Sequence, residues 1–291
     1  MNISPSSINL KEAISNLESL PAMPVIAQKL LALDLDSVSG ERALLRLIEQ
    51  DPQISAKLIG LANTPLFGAS KRVTSIQDAA ILLGLTRIKA VTLSIAVMTS
   101  LIKKPMGKLD LQKLWLHSLD MSLALRVLSQ AMPRNTRPLD DEIFLAGLLH
   151  DIGFMILNHL DQSRSDELHT LFATETNRSV DEIENELLEL NHCELGAELA
   201  RYWELPDSIV AVIRFHHTPN KKRAAVGQPL VSMVCLAEKL LAEYGISERK
   251  APIIDQKEWN ALGIDPTRSD ELFQKIKEEA ETAKAAAATF G

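Results

Sequence analysis

Helical spacing governs nearly every periodic stretch of this chain, and no run alternates β-branched with polar residues over the length of a strand. A chain patterned this way buries its apolar stripes by packing helix on helix, so the sequence predicts an all-α fold. The start signals agree. Asp51 before Pro52 supplies an N-cap carboxylate for the free first-turn amides, and the proline follows where its missing N–H costs nothing. Ser75 precedes another apolar run, and Ser179 with Glu182 has the spacing of a capping box. Helices are predicted over residues 24–34, 40–50, 51–63, 76–83, 87–102, 111–131, 141–160, 180–189, 193–203, 207–215 and 229–244. Asn63-Thr64-Pro65 should end the third, with Asn63 tolerating left-handed geometry. Leu66-Phe67-Gly68 then tucks under the helices or presents an apolar loop, and tucking is the expectation.

Pro105-Met106-Gly107 interrupts the pattern and marks a boundary. The chain divides on this reading into an N-terminal extension (1–13), a helical lobe (14–107), a metal-type lobe carrying all seven histidines (108–245) and a C-terminal extension (246–291). In the last segment Trp259, Leu262 and Ile264 would anchor a connection. Leu272, Ile276 and Ala280 recur at i, i+4 and i+8 and predict an amphipathic helix, whose alanine-rich end at 284–289 should fray.

With 291 residues and 46% hydrophobic content, the chain can build a sizeable core. Its net charge of −7 is uneven: up to Lys108 there are 12 Lys+Arg and 8 Asp+Glu, and beyond it 19 and 30. No basic face follows from this, which argues against direct nucleic-acid binding. Cys193 and Cys235 form no CxxC pair and read as two small buried apolar side chains in a reducing compartment. The start has no basic-apolar signal pattern, and the greasy stretch at 90–102 is too short and too interrupted to span a bilayer. A cytoplasmic location is expected, without membrane contact.

Five of the seven histidines fall in one ordered set with an aspartate: His117, His150-Asp151, His192 and His216-His217. Each imidazole offers a nitrogen lone pair and a carboxylate can bridge two cations, so the set suits one or two divalent ions of the Fe, Mn, Mg or Zn type. Singly, each histidine also has an ordinary structural reading. His117 would be a buried helix histidine bonded to Asp120 or a carbonyl, and His192 a first-turn residue beside Asn191. His159 and His169 stand outside the set and are expected at the surface or an interface. Trp115 and Trp203 read as core fillers.

The surrounding motifs run in a consistent order: Leu20-Pro21-Ala22-Met23-Pro24, Glu49-Gln50-Asp51-Pro52, Leu61-Ala62-Asn63-Thr64-Pro65, Leu82-Leu83-Gly84-Leu85, Ala146-Gly147-Leu148-Leu149-His150-Asp151-Ile152-Gly153, His192-Cys193-Glu194-Leu195-Gly196 and Trp203-Glu204-Leu205-Pro206. Over residues 14–245 the chain resembles the HDOD family, the output-domain branch of the HD metal-dependent phosphohydrolases. The resemblance implies an HD-type helical core behind an added N-terminal lobe. It implies one metal on His117, His150 and Asp151 and a second on His192, His216 and His217, with Asp151 bridging. Where the wider superfamily completes the first site with a late aspartate, this chain has Glu238 after Ala237, a longer carboxylate.

Two departures bear on chemistry. Phe154 stands where cyclic-di-GMP phosphodiesterases of the superfamily usually carry a lysine, and no Gly-Tyr-Pro motif follows, which disfavours that activity. The expected function is therefore a regulatory, signal-transducing protein of the HDOD type that acts by binding a signalling protein or a small phosphorylated ligand. The alternative is a metal-dependent phosphohydrolase acting on a nucleotide or another phosphoester, with Arg201 and Arg214 the nearest phosphate-binding candidates. A purely structural scaffold is the third reading.

Overall fold

The computed structural model describes residues 10–15, 20–64, 67–69, 71–102, 107–175, 177–242 and 253–287. Among them are sixteen α-helices and no strand, as the spacing predicts. Pro65, Leu66, Pro105, Met106, Tyr244 and the last part of the alanine-rich end lie outside the described residues.

The first six helices are α1 (Leu10–Ser15), α2 (Val25–Leu31), α3 (Val38–Glu49), α4 (Pro52–Ala62), α5 (Ile76–Leu83) and α6 (Leu85–Leu101). The starts of α3, α4 and α5 are fixed by side chains, each cap contributing about 1 kcal/mol. Asp51 Oδ1 accepts the N–H groups of Gln53 and Ile54 at 3.0 and 3.1 Å, and Ser75 Oγ accepts that of Asp78 at 3.0 Å. Asn63 ends α4 as its C-cap, in right-handed geometry with φ −85°. Its amide clamps the backbone of Val73, donating to the carbonyl at 2.7 Å and accepting from the N–H at 2.8 Å. Phe67 packs half-buried against the core.

Next come α7 (Leu111–Ala131), α8 (Asp140–Leu149), α9 (Ile152–Leu160), α10 (Gln162–Thr174), α11 (Val180–Leu188), α12 (His192–Tyr202), α13 (Asp207–Phe215) and α14 (Leu230–Leu240). The single helix predicted over 141–160 is two helices meeting at a 40° bend at His150-Asp151. Asp151, at φ −100° and ψ 16°, leaves helical geometry there, which turns both donor side chains to one side. The sequence reading did not include α10. Only Ser165, Leu168 and Phe172 of it are buried, so its apolar stripe is too sparse to register in the pattern.

The chain continues with α15 (Gln256–Ala261) and α16 (Ser269–Ala287). Trp259, Leu262 and Ile264 are buried, but within and just after a capped helix rather than a plain connection. Leu272, Ile276 and Ala280 are the buried stripe of α16, which lies along α7 with an Arg126–Glu279 ion pair at 3.0 Å. The alanines at 285–287 remain helical.

One cluster of buried apolar side chains runs from Leu10 to Ala280. The run from Val91 to Met98 on α6 is wholly buried, because α6 packs on α2, α4 and α5 on one side and on α8 and α9 on the other. Among the described residues no single helix is long and apolar enough to cross a membrane.

Two glycines let backbones touch where the histidines sit. A Cβ on Gly147 of α8 would lie 2.5 Å from the Ser122 backbone of α7, and one on Gly153 of α9 would lie 1.9 Å from the His192 carbonyl oxygen. Gly153 thus permits the close approach of α9 to α12. Gly153→Ala is expected to push those helices apart and destabilise the fold by about 1–3 kcal/mol, the usual range for overpacking. Denaturant melts showing wild-type stability would refute the close-packing argument.

Candidate metal centre

The side chains singled out by sequence converge. His117 comes from the middle of α7, His150 and Asp151 from the α8–α9 joint, His192 from the first turn of α12, His216 and His217 from the end of α13, and Glu238 from α14. All but His217 are at most 3% exposed, and His217 is half-buried.

Two groups of donors meet at Asp151. In the first, His117 Nε2 lies 3.1 Å from His150 Nε2 and 3.1 Å from Glu238 Oε1, while His150 Nε2 lies 2.7 Å from the same oxygen. Asp151 Oδ2 is 3.5 and 3.4 Å from the two imidazole nitrogens. In the second, His192 Nε2 and His216 Nε2 are 3.4 Å apart, and Asp151 Oδ1 lies 3.4 and 3.6 Å from them. Glu238, the longer carboxylate in place of the late aspartate, thus reaches the first group.

The rings are oriented from behind. His150 Nδ1 pairs with the Gly147 carbonyl at 2.9 Å, His216 Nδ1 with the Val212 and Ile213 carbonyls at 3.1 Å, and His192 Nδ1 with both Glu184 oxygens at 2.9 Å. Placing the proton on each Nδ1 leaves the inward Nε2 as a lone pair, the arrangement that metal-binding histidines use. Two imidazole nitrogens facing each other at 3.1 Å require a proton or a cation between them. The donor set therefore fits a divalent ion on each side of Asp151.

Charge in the cluster is set by these contacts. Burial works against ionised carboxyls, yet His150, His192 and His216 hold Asp151 well below the usual carboxylate range, and His117 and His150 do the same for Glu238. Burial also opposes a charged His150, but in the metal-free cluster Asp151 and Glu238 raise it to about 10, a proton that a bound cation would displace. Burial and the adjacent His217 push His216 down to about 3, which keeps it neutral.

The ordinary reading of His117 does not hold at Asp120: both oxygens of that buried carboxyl lack a hydrogen-bond partner, as does His117 Nδ1. Neither His159 nor His169 is fully exposed; His159 Nδ1 meets the Leu101 carbonyl at 3.5 Å and His169 sits 5.9 Å from the Phe154 ring. Arg201 and Arg214 both engage Glu198.

Sequence reasoning missed three contributors. Glu184 is fully buried behind His192, although its position on the capped helix α11 reads as a solvated acid. Phe154 stacks on the His192 ring, with centroids 4.3 Å apart and planes at 18°. Cys193 is buried as expected, but its Sγ lies 3.4 Å from His192 Nε2 rather than among apolar groups alone. Its place next to His192 in the sequence was the available signal.

The HDOD domain family model matches residues 20–219. A crystal structure from Marinobacter aquaeolei VT8, named a "Putative signal transduction protein", superposes with a TM-score of 0.79 at 24% identity, covering 97% of this chain and 64% of that one. An HDOD domain protein with unknown function from Geobacter sulfurreducens matches with a TM-score of 0.73 at 26% identity, covering 94% and 98%. An uncharacterized protein of Treponema pallidum is 25% identical over 240 residues, 81% of this chain; the chain spans only 45% of that curated relative's length.

Proposed function

The chain belongs to the HDOD domain family, and from that premise we propose a regulatory protein that works by binding, its divalent-metal centre tying helices together instead of turning over a phosphoester. Its input is a signalling protein or a small phosphorylated ligand. The ion is of the Fe, Mn, Mg or Zn type, held on His117, His150, Asp151 and Glu238 and on His192, His216 and His217 with Asp151 shared.

The observation that carries this reading is enclosure. Six of the seven ligand-type residues are at most 3% exposed, and Phe154 stacks flat on His192 where a lysine would offer a charge to phosphate. The arginines nearest in sequence spend their guanidinium groups on Glu198. A hydrolytic site needs an open metal position and a grip on the phosphoryl oxygens.

One feature favours the second reading, a phosphohydrolase: the two Asp151 oxygens face separate donor groups, as in two-metal sites that clamp an in-line displacement. A panel of phosphomonoesters, cyclic nucleotides and dinucleotides with Mn, Fe, Mg and Zn separates the two. Turnover should be undetectable in protein whose metal content is established by elemental analysis. Robust hydrolysis abolished by Asp151→Asn would put the phosphohydrolase first.

A further inference from the structure

We propose that Cys193 is a metal ligand in place of the half-buried His217, and that His192, Cys193, His216 and one Asp151 oxygen form a closed, thiolate-bearing zinc site in one half of the centre. The inference rests on the reading that the centre holds metal, and adds a donor, a preferred ion and a coordination number to it.

Cys193 follows His192 in the first turn of α12 and is 3% exposed. Its Sγ lies 3.4 Å from His192 Nε2 and 3.8 Å from His216 Nε2. Together with His217, these three residues offer donor atoms that all lie within 4.8 Å of one another. The spacing has the dimensions of a zinc tetrahedron. Nitrogens about 2.0–2.1 Å from zinc stand roughly 3.4 Å apart on a tetrahedron, and a nitrogen and a sulfur at about 2.3 Å stand roughly 3.6 Å apart. The nitrogen pair here is at 3.4 Å, and the sulfur distances of 3.4 and 3.8 Å bracket the second value. Asp151 Oδ1, at 3.4 and 3.6 Å from the same nitrogens, supplies the fourth donor.

The two halves then differ in softness. His117, His150, Asp151 and Glu238 pair two imidazoles with two carboxylates, a set that suits iron or manganese. The Cys193 half adds sulfur, which selects zinc over harder ions. Ligation replaces the S–H bond by a sulfur–zinc bond and releases that proton to solvent. Four protein donors leave no open corner for a water, so this zinc is structural, in keeping with a protein that binds without turnover.

Cobalt(II), loaded into metal-stripped full-length protein as a zinc surrogate, tests the assignment. The expected result is a near-ultraviolet thiolate-to-cobalt charge-transfer band that is lost in Cys193→Ser and kept in Cys235→Ser. Zinc affinity should fall at least about tenfold in Cys193→Ser. X-ray absorption at the zinc edge of the wild-type protein should resolve a sulfur neighbour at about 2.3 Å, a readout independent of how the variants fold. Metal bound with only nitrogen and oxygen neighbours would overturn the Cys193 assignment and leave the centre standing, the thiol then being a hydrogen-bond donor to His192. Wild-type protein that takes up neither cobalt nor zinc would overturn both.

Discussion

Asp151→Asn should strip metal from both halves of the centre at once. The asparagine keeps the shape of the side chain, so packing at the α8–α9 joint is preserved while the negative charge is lost. What disappears is a carboxylate with an oxygen near each donor group, Oδ2 toward His117 and His150 and Oδ1 toward His192 and His216. Loss of an outer-shell partner typically costs metal affinity 10–100-fold, so removing a shared ligand should cost more than about 100-fold. Glu238→Gln touches one half only and should leave the zinc of the other half bound. Elemental analysis of the two variants beside wild type reads the difference. At ion concentrations about 100 times the dissociation constant, metal stabilises the fold by roughly 2.7 kcal/mol, so Asp151→Asn should also lose the metal-dependent rise in melting temperature. Equal metal content in wild type and Asp151→Asn would remove the bridging assignment.

How much of this was legible in sequence follows from where each contribution is encoded. The helices α4, α7 and α11 announce themselves through apolar residues at helical spacing and local caps, and α13 through its apolar stripe alone; such local signals survive folding unchanged. The break between α8 and α9 was hidden because Ile143 to Leu149 and Ile152 to Leu157 are apolar on all sides, so no stripe changes phase at the joint. The opposite problem concealed α10, which buries too little to show a stripe. The six inward donors were readable because His and Asp are chemically distinctive at any depth. Glu184 and Cys193 were not, since a glutamate on a capped helix is ordinarily solvated and a lone cysteine is ordinarily apolar filler. Only the packing of α11 and α12 puts both beside His192.

The fold should also weaken as Asp120 ionises. This carboxyl sits one helical turn after His117 on α7, is 1% exposed, and has no hydrogen-bond partner on either oxygen. Burial raises it to about 7, with His117 and Lys284 pulling it back only in part. In the unfolded chain it titrates near 3.9. Between these values the native state holds the proton and the unfolded state does not, so rising pH favours unfolding across that window. The three-unit gap corresponds to on the order of 4 kcal/mol, fully lost only above pH 7. Asp120→Asn carries no charge to desolvate and should escape the loss. Urea melts of metal-free wild type and Asp120→Asn from pH 4 to pH 8 should therefore diverge in favour of the variant as pH rises, with near-equal stability at the acid end. Parallel profiles would mean that Asp120 ionises in the folded protein as it does in water, and that something other than burial sets its charge.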